Sequence, residues 1–205
     1  MKHIIIILIA LSLLNCKAQT VVSMNNNGNY GAEGFYFKDI NNDFNTFEGT
    51  WLYTDGNSSL KVTFQKKINN HDLSEISNYH FDALVGEYQY IENGAEKVNT
   101  LLNINNNHSD PYDYNLIAIS VWKYGQNSCT NCEPGNKVVK ARFNQPDCDI
   151  ISSPQMIFRH YIESGVEKLH LNFISGTYVG NPLGIEPTCQ DYAIPFGQYT
   201  LIKQD

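Results

Sequence analysis

Three times along this chain a run of β-type residues stops at a two-residue signal for a tight turn and then resumes, and this arrangement constrains the fold more than any other feature. Trp51, Leu52 and Tyr53 lead into Asp55-Gly56, after which Leu60, Val62 and Phe64 alternate with Lys61, Thr63 and Gln65. Residues 87–91 face residues 98–102 across Asn93-Gly94, with Tyr88 and Tyr90 on one face. Met156 to Ile162 faces Val166 to Phe173 across Ser164-Gly165, with Leu169, Leu171 and Phe173 on one side and Lys168, His170 and Asn172 on the other. Side chains of a strand alternate between two faces, so each run predicts a strand with one dry and one wet side. Leu116 to Trp122 is apolar almost throughout and reads as a strand covered on both faces, while 138–143 and 197–203 add two more. Residues 72–78 offer one short helical turn, and no stretch sustains a 3.6-residue period. About nine strands without a repeat predict an all-β, closed antiparallel barrel of eight to nine strands, because closure leaves no unpaired edge.

The N-terminus carries a different message. Lys2 precedes an apolar run from Ile4 to Leu14, interrupted by Ser12 alone, which reads as the charged and hydrophobic regions of a signal peptide. Eleven helical residues reach about 16 Å, roughly half the thickness of a bilayer's hydrocarbon, so the run is too short for a spanning helix. Two processing points stay open. Cys16-Lys17-Ala18 suits cleavage after Ala18, whereas Leu13-Leu14-Asn15-Cys16 resembles a lipoprotein box with Cys16 as the lipidated residue, although Asn15 stands where a small residue is usual. Either route exports the chain to the periplasm, the outer membrane surface or the exterior. Residues 19–34, rich in Asn and Gly, read as a flexible lead-in, and 35–205 as one domain large enough to bury its own core. A net charge of −7, made more negative by losing Lys2 and Lys17, argues against nucleic acid and against anionic lipid headgroups as partners; membrane contact is expected only through a lipid anchor.

The stretch Phe44-Asn45-Thr46-Phe47-Glu48-Gly49-Thr50-Trp51 resembles the N-terminal signature of the lipocalin and calycin barrels, where an aromatic-rich turn leads into Gly-x-Trp on the first strand. The resemblance implies that Trp51 closes the narrow end of a barrel and that a basic residue of the last strand, here Lys203, lies over its indole. The family's Thr-Asp-Tyr motif is not evident, since Asp191-Tyr192 follows Gln190 near the C-terminus. Phe37 through Trp51, with the Asp-Gly hairpin behind it, also resembles secreted proteins of flavobacterial type, a group without an assigned activity.

Chemistry-bearing motifs are thin. Cys129, Cys132, Cys148 and Cys189 are an even set in an oxidising compartment, which predicts two disulfides with three pairings open. The Cys129-x-x-Cys132 spacing also fits a redox dithiol, but no helix is predicted to lower a thiolate pKa there, and four thiolates without a second close pair make a poor zinc site. His160 and His170 lie on neighbouring predicted strands and are read as a cross-strand or surface pair. Asp39, Asn41 and Asp43 open like a calcium loop, yet Phe44 occupies the glycine position and Thr50 the bidentate glutamate position, so the segment reads as a turn. No cofactor fingerprint, phosphate loop or serine elbow is present. The expectation is a non-enzymatic, lipocalin-like envelope protein whose pocket for a small apolar or amphipathic ligand is lined by Trp51, Leu60, Val62, Phe64, Tyr88, Tyr90, Leu169, Leu171 and Phe173. The alternatives are a solid barrel acting as a structural or interaction module, and a thiol-disulfide oxidoreductase using Cys129 and Cys132.

Overall fold

The computed structural model describes residues 19–25, 28, 30–72, 78–123, 125, 132–148, 150, 153–176 and 188–204. The expected signal peptide with Cys16, residues 73–77 of the helical turn expected at 72–78, and Cys129 lie outside the described residues. The strands are β1 (Thr20–Ser23), β2 (Phe35–Lys38), β3 (Gly49–Asp55), β4 (Ser58–Asp72), β5 (Tyr79–Glu92), β6 (Ala95–Asn99), β7 (Leu116–Ala118), β8 (Val121–Lys123), β9 (Lys137–Phe143), β10 (Gln155–Glu163), β11 (Val166–Ile174) and β12 (Gly197–Gln204). Eight of them pair antiparallel in the order β5-β4-β3-β12-β11-β10-β9-β7, and β7 pairs back onto β5, so the sheet closes into a barrel.

Turn chemistry sets the registers. Ser164 (φ 52°) and Gly165 (φ 79°) form the two-residue loop between Glu163 and Val166, and Asn93 (φ 51°) with Gly94 (φ 80°) does the same between Glu92 and Ala95. In the first hairpin the positive φ falls on Gly56 alone, since Asp55 already pairs with Ser58. A one-residue slip would turn every inward side chain outward, so these loops also fix what the barrel contains.

Three features depart from the sequence reading. Residues of the segment expected as a loose lead-in form β1, which pairs parallel with β2, and Met24 after it is buried in the core. The strand expected at 98–102 is β6, which ends at Asn99 and lies off the barrel; Leu101–Asn105 and Pro111–Asp113 are 3-10 turns that lead back to β7. The continuous strand expected at 116–122 is two short ones, β7 pairing β5 and β9, and β8 pairing β9 only. The edge of β5 away from β4 is shared lengthwise, β2 taking His80 and Phe81, β7 taking Leu84 to Gly86, and β6 taking Gln89 to Glu92.

The core is the barrel interior plus a cap formed by β2 and the 3-10 turn at Asp43–Thr46, which bring in Phe37, Phe44 and Phe47. The buried Asp39 carboxylate accepts from the backbone N–H groups of Asp43 and Phe44 at 2.8 and 3.0 Å and so anchors that turn. Asp82, also buried, accepts from the Tyr36 hydroxyl at 2.6 Å, from the Asp39 N–H at 2.9 Å and from the Asn69 N–H at 2.9 Å, holding the bulge of β4 against β5.

Candidate functional site

All nine residues expected to line a pocket lie in the barrel core and are buried. What matters is what they face. β4 and β10 stand four positions apart among the eight strands, on opposite walls, yet the rings of Phe64 and Phe158 meet edge to face with centroids 5.0 Å apart. Tyr88 stacks on Phe143 at 5.2 Å, Phe143 touches Phe173 at 4.9 Å, and Phe173 touches Phe196 at 4.8 Å. An eight-stranded barrel has an interior just wide enough for side chains to fill, and here aromatic rings bridge it from wall to wall. Gly86 on β5 shows how tight the centre is: a Cβ there would stand 2.6 and 2.8 Å from carbons of the Phe64 ring.

One end of the barrel is built on the indole. β12 pairs with β3 so that Lys203 lies directly across from Trp51, and its Nζ sits 5.3 Å from the ring centroid. Trp51 Nε1 donates to the Phe47 carbonyl at 2.8 Å, so the indole's one polar atom is satisfied by the turn before β3. Lys203 Nζ also donates to Glu167 at 2.8 Å. The His160 ring packs edge-on against Trp51 and Phe47, 6.1 and 6.3 Å between centroids, with Nε2 at 3.4 Å from Glu167. Burial lowers the His160 pKa and outweighs the nearby Glu167 carboxylate, while the hydrogen bond from Lys203 holds Glu167 below its ordinary value.

An ionic belt surrounds this end. Asp43, nearly buried, is met by Lys123 at 2.7 Å and Lys137 at 3.1 Å, and Asp39 is met by Lys66 at 2.8 Å. Burial alone would raise the Asp43 pKa, but hydrogen bonds and charge from the two lysines overcome it and hold the carboxyl low. Asp39 and Asp43 are therefore neutralised by lysines, and Asp39 also caps the backbone of the turn that this segment forms. Among the described residues no group of three or more His, Cys, Asp or Glu side chains is placed to hold a metal ion.

The opposite end is aromatic. Tyr53 meets Tyr199 at 5.1 Å, Tyr192 meets Phe143 at 5.5 Å and Phe196 at 5.9 Å, and Ile194 is fully buried beneath them. Burial pushes the Tyr199 hydroxyl up to about 12, and it donates to the Pro195 carbonyl at 2.6 Å. A Cys148–Cys189 disulfide ties this segment to the end of β9, selecting one bond among the cysteine candidates; Cys132 is also disulfide-bonded.

The histidines fall differently from expectation. His160 pairs with Leu169 and His170 with Arg159, so the two imidazoles leave opposite faces of the β10–β11 hairpin, His160 inward and His170 outward. Instead His71 and His80, directly across on β4 and β5, stack at 4.4 Å with an interplanar angle of 6°. Their pairing was hidden because the bulge between Lys67 and Asn70 shifts the register that simple alternation would give.

On the outer wall, where β7, β9 and β10 run side by side, Lys140 and Arg142 rise beside a hollow floored by Ile117, Ile119 and Pro154 and flanked by Tyr112. Tyr112 and Pro154, distant along the chain from Lys140 and Arg142, wall it in.

A family model described as a family of unknown function (DUF6705) matches residues 1–204. No curated protein and no solved structure matches the chain.

Proposed function

We propose, for a chain that belongs to the family of unknown function DUF6705, an exported, non-catalytic interaction module: a lipocalin-like barrel filled by its own side chains, which recognises partners on its outside. The observation that carries this reading is the ring contact of Phe64 with Phe158 across the diameter, flanked by the Tyr88–Phe143–Phe173 stack. A carrier of the lipocalin kind needs its inward side chains to stop short of one another, whereas these meet at van der Waals distance. The cysteines support export and a structural role, since a disulfide between Cys148 and Cys189 pins the aromatic end and persists in oxidising compartments. The acidic balance of the chain suits a soluble surface in such a compartment.

Native mass spectrometry of the protein purified from its own host tests the reading. The expected mass is that of the processed chain alone, and its N-terminus reports cleavage after Ala18 or lipidation at Cys16 in the same spectrum. A small apolar molecule retained natively and released on unfolding overturns the filled-barrel reading in favour of a carrier.

A further inference from the structure

Two cations on the outer wall are held in place by aromatic rings. Lys140 and Arg142 alternate along β9 with the buried Val139, Ala141 and Phe143, so both point away from the core, about 7 Å apart as next-but-one neighbours of a strand. Arg142 lies in one cross-strand row with Ile117 of β7 and Gln155 of β10. Its guanidinium rests 5.1 Å from the Tyr112 ring centroid and Nη2 donates to the Tyr112 carbonyl at 2.8 Å, while Lys140 Nζ stands 5.8 Å from the Trp122 ring. These contacts fix the heads but supply no negative charge, and among the described residues neither pairs with a carboxylate. That is notable in a chain of net charge −7. Between the cations and Pro154 lies a hollow of about 250 Å³ whose floor is the side chains of Ile117 and Ile119.

We propose that this hollow binds a small amphipathic carboxylate. Its apolar body covers Ile117, Ile119 and Pro154, and its carboxylate takes the guanidinium donors left free by Tyr112, with the Lys140 ammonium beside it. The volume sits just below that of a drug-sized site, which suits an aryl or short alkyl acid on the order of ten non-hydrogen atoms. At ordinary ligand efficiencies such a molecule binds with a Kd of about 0.1–1 mM. The site is independent of the barrel interior, so the two readings fail separately: a molecule retained inside the barrel overturns the filled-barrel reading and leaves this one standing.

The test is a titration of the purified full-length mature protein, labelled on isoleucine methyl groups, with benzoate and with hexanoate, using benzamide as the uncharged isostere and inorganic phosphate as the bare anion. Saturable shifts of the Ile117 and Ile119 methyls are expected with both acids, and none at Ile162 or Ile202 on other faces. Benzamide and phosphate should each bind at least tenfold more weakly. The double variant K140Q/R142Q should lose at least tenfold in benzoate affinity with an unchanged thermal transition. Ile119→Ser, at a half-buried position, should weaken hexanoate while leaving phosphate unaffected. Equal binding of benzamide, equal binding of phosphate, full affinity in K140Q/R142Q, or shifts centred elsewhere each overturn the proposal.

Discussion

Replacing Phe158 by alanine probes the centre of the barrel most directly. The side chain is fully buried on β10 and its ring meets Phe64 of the opposite wall at 5.0 Å and 89°. Truncating a buried phenylalanine costs about 3–5 kcal/mol, from lost transfer energy and from the cavity left where the surroundings do not collapse. A barrel wall, held by hydrogen bonds on both sides of every strand, collapses poorly, which points to the upper part of that range. Against a typical total of about 5–15 kcal/mol, Phe158→Ala should remove a third or more of the stability. Urea unfolding followed by the fluorescence of the buried Trp51 reads this as a large drop in midpoint with little change in slope. A double-mutant cycle with Phe64→Leu and Phe158→Leu should return a coupling of about 0.5–1.5 kcal/mol, the amount an edge-to-face pair adds beyond burial. Benzene should then stabilise Phe158→Ala but not the unmodified protein, because only the variant has a dry cavity at its centre. A loss below about 1 kcal/mol for Phe158→Ala, or benzene stabilising both proteins alike, would refute the reasoning that the rings fill the barrel.

Gly86→Ala places a methyl within 2.8 Å of the Phe64 ring, so overpacking should cost about 1–3 kcal/mol by urea unfolding, and the Phe64→Leu background should relieve part of it. Asp43 is held below its ordinary pKa by Lys123 and Lys137, so its contribution is fully present above the unfolded value near about 4 and is lost as the pH falls through the lower folded value; Asp43→Asn should flatten the acid limb of a midpoint-versus-pH curve. His160 is also held low, by burial, but here the neutral form is the stabilised one: stability is fully present above about pH 6.5 and declines as the pH falls toward the folded value, a decline that His160→Phe should abolish in the same measurement. The Cys148–Cys189 bond spans a sequence separation of 41, so the double serine variant should lose about 4 kcal/mol in the chain-entropy account, read as a lowered thermal midpoint under non-reducing conditions.

The hairpins were legible because two local signals agreed. Period-2 alternation named the inward faces of β4 and β11, and Asn-Gly or Ser-Gly named the turns, so register followed from turn geometry. The Lys203–Trp51 contact came from a resemblance of eight residues together with the position of the last strand, and β12 sets the two directly across from one another. What stayed hidden depends on partners far away in sequence. β1 and β2 are four residues each and pair parallel, so neither alternation nor a turn dipeptide marks them. The break between Ala118 and Val121 has no local signal, because an apolar run reads alike whether it is one strand or two. Alternation tells which side chains share a face but not what they meet across a barrel, so Phe158 and Phe143, the rings that close the space, carried no signal of that role. The outer-wall hollow was out of reach for the same reason, since Tyr112 and Pro154 arrive there from separate connections.

The last strand in the chain is also the strand that shuts the sheet. β12 lies between β3 and β11, joined to β3 by pairs running only from Ile202–Leu52 to Gln204–Thr50, partners separated by roughly 150 residues of chain, a long loop to close before any contact rewards it. Until residues 197–204 are synthesised and delivered, β3 and β11 each present a bare row of peptide groups to any neighbouring strand. The seam is therefore a latch: with β12 undocked the sheet is an open, adhesive ribbon, and it becomes a sealed body only when residues 197–204 take their place between β3 and β11.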